Sequence, residues 1–137
     1  MPRCYHEDMA LSFIPAPGSV VICDFRGNVE PEMVKKRRAV VVSPVRFFKY
    51  LPDATVIVVP LSELEPQPLR PWHHPIRGGR YTGIKACWAK GDLVTHVGLF
   101  RLDRVFYRGG WIMPVVDGLD LIGIRRALAR ATGMHLT

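Results

Sequence analysis

The densest chemistry in the chain lies in residues 31–44, PEMVKKRRAVVVSP, where Lys35, Lys36, Arg37 and Arg38 run directly into an apolar stretch. A solvated basic turn ahead of an edge strand would carry the same charges. Arg37 invites a more specific use: with a strand on one side and a loop on the other, its guanidinium can be aimed at a phosphate through two parallel hydrogen bonds. A second basic segment, residues 70–81, interleaves Arg70, Arg77 and Arg80 with Trp72 and Tyr81. Such a loop can clamp single-stranded RNA by stacking bases on its rings while arginines meet phosphates. It can equally be a proline-stiffened surface loop whose Trp72 packs on the domain. His73 and His74 are adjacent and lack acidic or cysteine companions, which disfavours zinc. Asp24, Glu32 and Asp92 lie in separate blocks rather than in the dense acidic cluster of a two-metal site, so neither a metal nor another cofactor is expected.

The balance of 19 Lys and Arg against 12 Asp and Glu, a formal charge of +7, favours an anionic partner. A chain of 137 residues with 48% apolar content is expected to form one domain around one core. Cys4, Cys23 and Cys87 are odd in number and without a CxxC pair, so no disulfide framework is indicated, and Cys23 and Cys87 read as buried thiols in strands. No apolar run is long enough to span a bilayer and the first residues lack a secretory leader, which points to a cytoplasmic protein.

Elements that must position these groups follow from the periodicity. Residues 1–17 read as an N-terminal extension, ended by the turn-rich Pro15, Ala16, Pro17 and Gly18. Residues 19–25 (SVVICDF) form a first strand apolar on both faces, and residues 39–43 a second strand fed by the basic run. A third strand covers residues 55–61 (TVIVVPL), with Pro60 expected to mark an edge or a bulge. Residues 63–83 hold four prolines and three glycines, which suggests a long functional or mobile loop outside the core. Residues 84–90 and 92–99 read as two strands broken at Gly91; residues 101–107 are ambiguous and end at Gly109 and Gly110. From Asp117 the period becomes helical, with Leu121, Ile124, Leu128 and Ala131 on one face and Arg125, Arg126 and Arg130 as a solvated remainder, stopped at Gly133. Short strands followed by one helix at 117–132 predict a mainly β protein, a small barrel or curled sheet with the helix over one open side.

In order and spacing, the chain resembles the MazF/PemK toxins. In that family a first strand ending in a pair such as Asp-Phe precedes a loop with Glu, then Arg-Pro-Ala-Val-Val-Leu-Ser-Pro; here stand Asp24, Phe25, Glu32 and residues 37–44, RRAVVVSP. The family's third strand ends Val-Pro-x-Thr or Val-Pro-x-Ser, matched by Val59, Pro60, Leu61 and Ser62, and its later Arg-x-Asp is represented by Lys90, Gly91 and Asp92. Arg38 stands where the family normally has Pro, and the hydroxyl is Ser62 rather than Thr.

The resemblance covers roughly residues 17–105 and implies an SH3-like barrel of the PemK/CcdB type. It further implies a homodimeric, metal-independent endoribonuclease, sequence-selective for single-stranded RNA and neutralised by an acidic antitoxin. Arg37 and Ser62 are then the catalytic pair. Attack of a 2′-OH on the adjacent phosphorus needs a base, stabilisation of a dianionic phosphorane and an acid for the 5′-oxygen, and yields a 2′,3′-cyclic phosphate and a 5′-OH. Arg37 suits the middle task, since its charge persists at any working pH. Ser62 can orient a phosphoryl oxygen or the 2′-OH but cannot act alone as the base. Asp92, Glu32 and His96 remain open for proton transfer, although a lone strand histidine is more often structural. Lys35, Lys36, Arg38, Arg70, Trp72, Arg77, Arg80, Tyr81 and Lys90 are the expected RNA contacts, and Trp111, Ile112 and Met113 a candidate dimer surface. Two rival readings are a CcdB-like toxin that inhibits a topoisomerase by contact, and a non-catalytic relative that binds RNA or antitoxin.

Overall fold

A computed structural model describes residues 11–134. Its frame is an antiparallel sheet of seven strands, built from β1 (Val20–Asp24), β2 (Lys36–Val41), β3 (Thr55–Ser62), β4 (His73–Ile76), β5 (Cys87–Lys90), β6 (Thr95–Gly98) and β7 (Leu102–Asp103). The order is β4-β5-β3-β2-β1-β7, with β6 also on β3. Hydrogen bonding does not run full circle among the described residues, so the sheet is curled rather than closed. A hairpin of β8 (Val105–Tyr107) and β9 (Gly110–Ile112) and the helix α1 (Gly118–Ala131) complete the molecule.

Alternation along the strands divides the apolar residues between two cores, one on each face. Val21, Cys23, Ala39, Val41, Val56 and Val58 build the first, capped by Leu99 and Leu102 and by Leu11, which is packed into that core from the segment ahead of β1. Val20, Val40, Val59, Leu61 and Ala89 build the second, capped by Val105 of the hairpin and Ile124 of α1. Burial on both faces is why β1 and the end of β2 read as continuous runs of valine and isoleucine.

Four sequence expectations are corrected. The basic run does not precede β2 but lies largely inside it, because Lys36, Arg37 and Arg38 pair with Asp24, Cys23 and Ile22 of β1. Pro60, expected to mark an edge or a bulge, stands inside β3, a strand with neighbours on both sides. Val42 N–H donates to Ile57 O, so by the alternation of an antiparallel ladder the nitrogen of Pro60 faces away from β2. It falls in the gap where the partner on that edge of β3 changes, from β6 at residues 55–58 to β5 at residues 61–62. Residues 63–83 are not wholly loop, since β4 pairs with β5 and buries Ile76; β4 is an edge strand, where Pro75 is tolerated. Gly109 does not end a segment but turns the β8–β9 hairpin, with Arg108 at φ 48° and Gly109 at φ 82°.

The helix begins where the sequence indicates: the Asp117 side chain accepts from Asp120 N–H. It ends with Gly133 at φ 89°, Met134 N–H reaching back to Ala129 O. Its arginines are not all solvated, because Arg125 donates twice to Val42 O and fastens α1 to the sheet. Gly91 makes the packing possible, since a Cβ there would lie 2.7 Å from the backbone of Ala127 and Leu128.

Candidate functional site: a cationic mouth between two strands

Strands β2 and β3 pair from Val41 and Val58 as far as Ala39 and Pro60 and then part. Continuing that register by two positions sets Arg37 across from Ser62, on one face of the sheet. Where the strands separate a cavity of about 370 Å³ opens, lined by Arg37, Arg38, Ser62, Glu63, Lys85 and Cys87 among others. It falls within the size range of small-ligand sites.

The electrostatics of this mouth are lopsided. Lys35, Lys36, Arg37, Lys85 and Lys90 have no ion pair among the described residues. Arg38, paired in register with Ile22, also lines the cavity, and its Nε is buried without a hydrogen-bond partner. An unsatisfied buried N–H costs about 1–3 kcal/mol. The Ser62 hydroxyl donates to Leu64 O at 3.2 Å, leaving its oxygen able to accept. Cys87 lines the same cavity, but burial pushes its thiol up to about 11, so it stays protonated at neutral pH and is a poor nucleophile. Cys23, in the first core, is pushed up by burial to about 12; Cys4 lies outside the described residues.

The three groups considered for proton transfer are scattered. Glu32 is nearest, lining with Arg37, Lys35 and Lys90 a groove of about 270 Å³ that adjoins the mouth; its carboxylate accepts from Val29 N–H. Asp92 lies in the turn after β5, with Oδ1 3.9 Å from His73 Nε2, and borders neither space. His96 is held at 2.6 Å from Thr55 Oγ1, at the far end of β3. At ~3.3 Å per residue that is roughly 20 Å from Ser62. Glu63, which sequence reasoning did not single out, lies in the cavity beside Ser62; as one of several acids in a loop it carried no spacing signal.

The predicted clamp is only partly free. Arg70 and Arg77 are exposed and Trp72 is half-buried. Arg80 and Tyr81 turn instead to the start of α1: Arg80 pairs with Asp117 and Asp120, and Tyr81 donates to Asp120 Oδ2 at 2.5 Å while accepting from Asp117 N–H. His74 Nε2 lies 2.9 Å from Asp120 Oδ1, so that nitrogen carries the proton. The hydrogen bond to Asp120 N–H, with Arg80 alongside, holds the Asp117 carboxyl below the usual range. Burial followed by the bond to Asp120 pushes the Tyr81 hydroxyl up. Among the described residues no three His, Cys, Asp or Glu side chains gather as a metal site, and no helix is long and apolar enough to cross a membrane.

Fold and site together define a small β protein with a cavity whose lining cations form no ion pair among the described residues, with an arginine and a hydroxyl at its edge, suited to holding phosphate. Residues 16–108 match the family described as PemK-like, MazF-like toxin of type II toxin-antitoxin system. The fold is shared with MazF from Deinococcus radiodurans, at TM-score 0.68 and 16% identity over 90% of this chain and 100% of that one. An endoribonuclease in complex with its cognate antitoxin from a mycobacterial species gives TM-score 0.61 at 18% identity, over 90% and 100% of the two chains. The Mycobacterium tuberculosis toxin MazF-mt6 gives 0.56 at 12%, over 86% and 99%. No curated protein matches the sequence. The chain belongs to the PemK-like, MazF-like toxin family of type II toxin-antitoxin systems.

Proposed function

We propose that this toxin is a metal-independent endoribonuclease that cuts single-stranded RNA at the mouth between β2 and β3. The observation that carries the reading is the convergence of Arg37 and Ser62, from different strands, on a cavity whose cations lack partners. A phosphodiester supplies the missing anion. Arg37 spans two phosphoryl oxygens of the developing dianion, Ser62 orients the 2′-OH or a phosphoryl oxygen, and Arg38 offers its unpaired Nε–H to a neighbouring acceptor. Proton transfer falls to Glu63 in the cavity or Glu32 in the adjoining groove.

The products are a 2′,3′-cyclic phosphate and a 5′-OH, and the toxin acts in the cytoplasm as a homodimer of one-domain subunits. Its antitoxin is acidic, since an anionic segment can occupy the same cations. The exposed Trp111, which packs against Phe106 at 5.0 Å between ring centres, is the candidate dimer surface. Incubating the purified protein with a long single-stranded RNA in EDTA tests the reading: discrete fragments with 5′-OH ends are expected, and cleavage only with added Mg²⁺ or Mn²⁺ would overturn it. Of the variants Glu63→Gln and Glu32→Gln, the one that removes the acidic limb of the pH–rate profile identifies the base.

A further inference from the structure

Beside Ser62 stands a tryptophan that neither core explains. Trp88 of β5 is paired in register with Ser62 of β3 on one side and with Pro75 of β4 on the other. Residues directly opposite in an antiparallel pair project from the same face, with Cβ atoms about 4.5–5.5 Å apart. The row across that face therefore reads Arg37, Ser62, Trp88, Pro75, and Lys90 follows Trp88 two residues along β5 on the same face. Its strand neighbours Cys87 and Ala89 point the other way, into the second core.

The indole is half-buried and belongs to neither apolar core, although smaller residues such as Val94 and Ile112 pack against the second. Its Nε1–H has no hydrogen-bond partner among the described residues. Among the described residues the one buried, unpartnered side-chain nitrogen is that of Arg38, so the Trp88 nitrogen is not fully buried. An aromatic ring held by two strands, only half-buried and with cations on both flanks, is what a base-stacking platform requires.

We propose that Trp88 is the surface on which the RNA base adjoining the scissile phosphate stacks. The inference rests on the ribonuclease reading above and deepens it by giving the substrate a second point of attachment. With a phosphate between Arg37 and Ser62, the attached base is carried away from it by one ribose, and Trp88, one strand spacing (~4.8 Å) beyond Ser62, falls within that reach. Stacking on an indole is tolerant of base identity, so Trp88 governs affinity and the placing of the 2′-OH rather than the choice of base. It is a positioning residue, and Arg37 and Ser62 act on the phosphate itself.

The test uses the full chain and two RNAs of one sequence: an unmodified oligonucleotide, and a 2′-O-methyl version that lacks the attacking hydroxyl. Affinity for the methylated RNA is read by anisotropy in EDTA, cleavage of the unmodified RNA by gel, and oligomeric mass by sedimentation. Trp88→Ala and Trp88→Leu are both expected to weaken binding about 5- to 150-fold, raising KM more than they lower kcat, while Trp88→Phe keeps most of the affinity. Trp88→Leu retains apolar bulk, so its loss of affinity at an unchanged melting temperature separates stacking from packing. Unchanged affinity in both variants would overturn the platform, as would a change of mass that accounts for the lost affinity, which would give Trp88 to a second copy of the chain. If the wild type binds the methylated RNA in a Trp88-dependent way but does not cut the unmodified one, the platform stands and the ribonuclease reading fails. A wild type that binds neither RNA ends both.

Discussion

At the β2–β3 mouth, Lys36, Arg37 and Lys85 are exposed and, with Lys90 of the adjoining groove, form no ion pair among the described residues, and Arg38 keeps a buried N–H unsatisfied. At the start of α1, Arg80 is matched by Asp117 and Asp120, and Tyr81 and His74 both hydrogen-bond the Asp120 carboxylate. Both regions combine arginine with aromatic and hydroxyl groups, and in sequence both looked fit for RNA. The difference lies in bookkeeping of charge across the fold. The helix brings acids into ion pairs with the second cluster, whereas Glu63 and Glu32 border the first without forming an ion pair to its cations among the described residues. Free cations recruit a ligand; neutralised ones hold a loop to a helix.

The largest test of that contrast is catalytic. Arg37→Ala should lower RNA cleavage ~10²-fold or more, the scale for removing one transition-state charge donor, with no loss of melting temperature. If Arg38→Ala were the inactive variant and Arg37→Ala fully active, the register deduced for the mouth would be off by one.

Asp120→Ala should act in the opposite sense. Removing the acceptor shared by His74, Tyr81 and Arg80 leaves half-buried donors unpaired and should cost about 1–3 kcal/mol of stability, read by chemical denaturation, with kcat at saturating RNA little changed. A large kcat loss without destabilisation would turn the helix cluster into part of the active site.

Salt dependence offers a finer comparison. Each phosphate contact on single-stranded nucleic acid contributes about −0.7 to the slope of log affinity against log salt. Lys90→Ala should shorten the slope by about that amount, while Arg80→Ala should leave it unchanged. Equal effects from the two variants would erase the distinction between free and neutralised cations.

The smallest effect concerns pH. Burial holds His73 below its ordinary value against the opposing pull of Asp92. A histidine kept neutral in the fold binds fewer protons than in the unfolded chain, so its contribution is present above about pH 6.5 and is lost as pH falls through that value toward the folded one. Denaturation at pH 7.5 and 5.5 should differ less in His73→Gln than in the wild type.

Much of the frame was legible before any coordinates. The two-faced valine runs at residues 20–24 and 39–42 demanded burial on both sides of a sheet. The capped 3.6-residue period demanded the helix that begins after Asp117. Both signals are local. The alternation of Cys87, Trp88, Ala89 and Lys90 already separated an inner pair from an outer pair, yet nothing in it said which strand Trp88 would meet.

Arg37 and its charge are properties of the sequence, and so, through resemblance, was the pairing of Arg37 with Ser62. That the two stand across a gap with Trp88 beside them depends on strand register, which is set by contacts between residues 17 to 28 positions apart. The fate of Arg80 and Tyr81 was hidden for the same reason: their partners Asp117 and Asp120 lie beyond three further strands and a hairpin in the chain. The sequence by itself determined which residues carry charge and which strands must be buried. Only the tertiary structure decided which charges are left free, because neutralisation depends on distance in space and not on spacing along the chain.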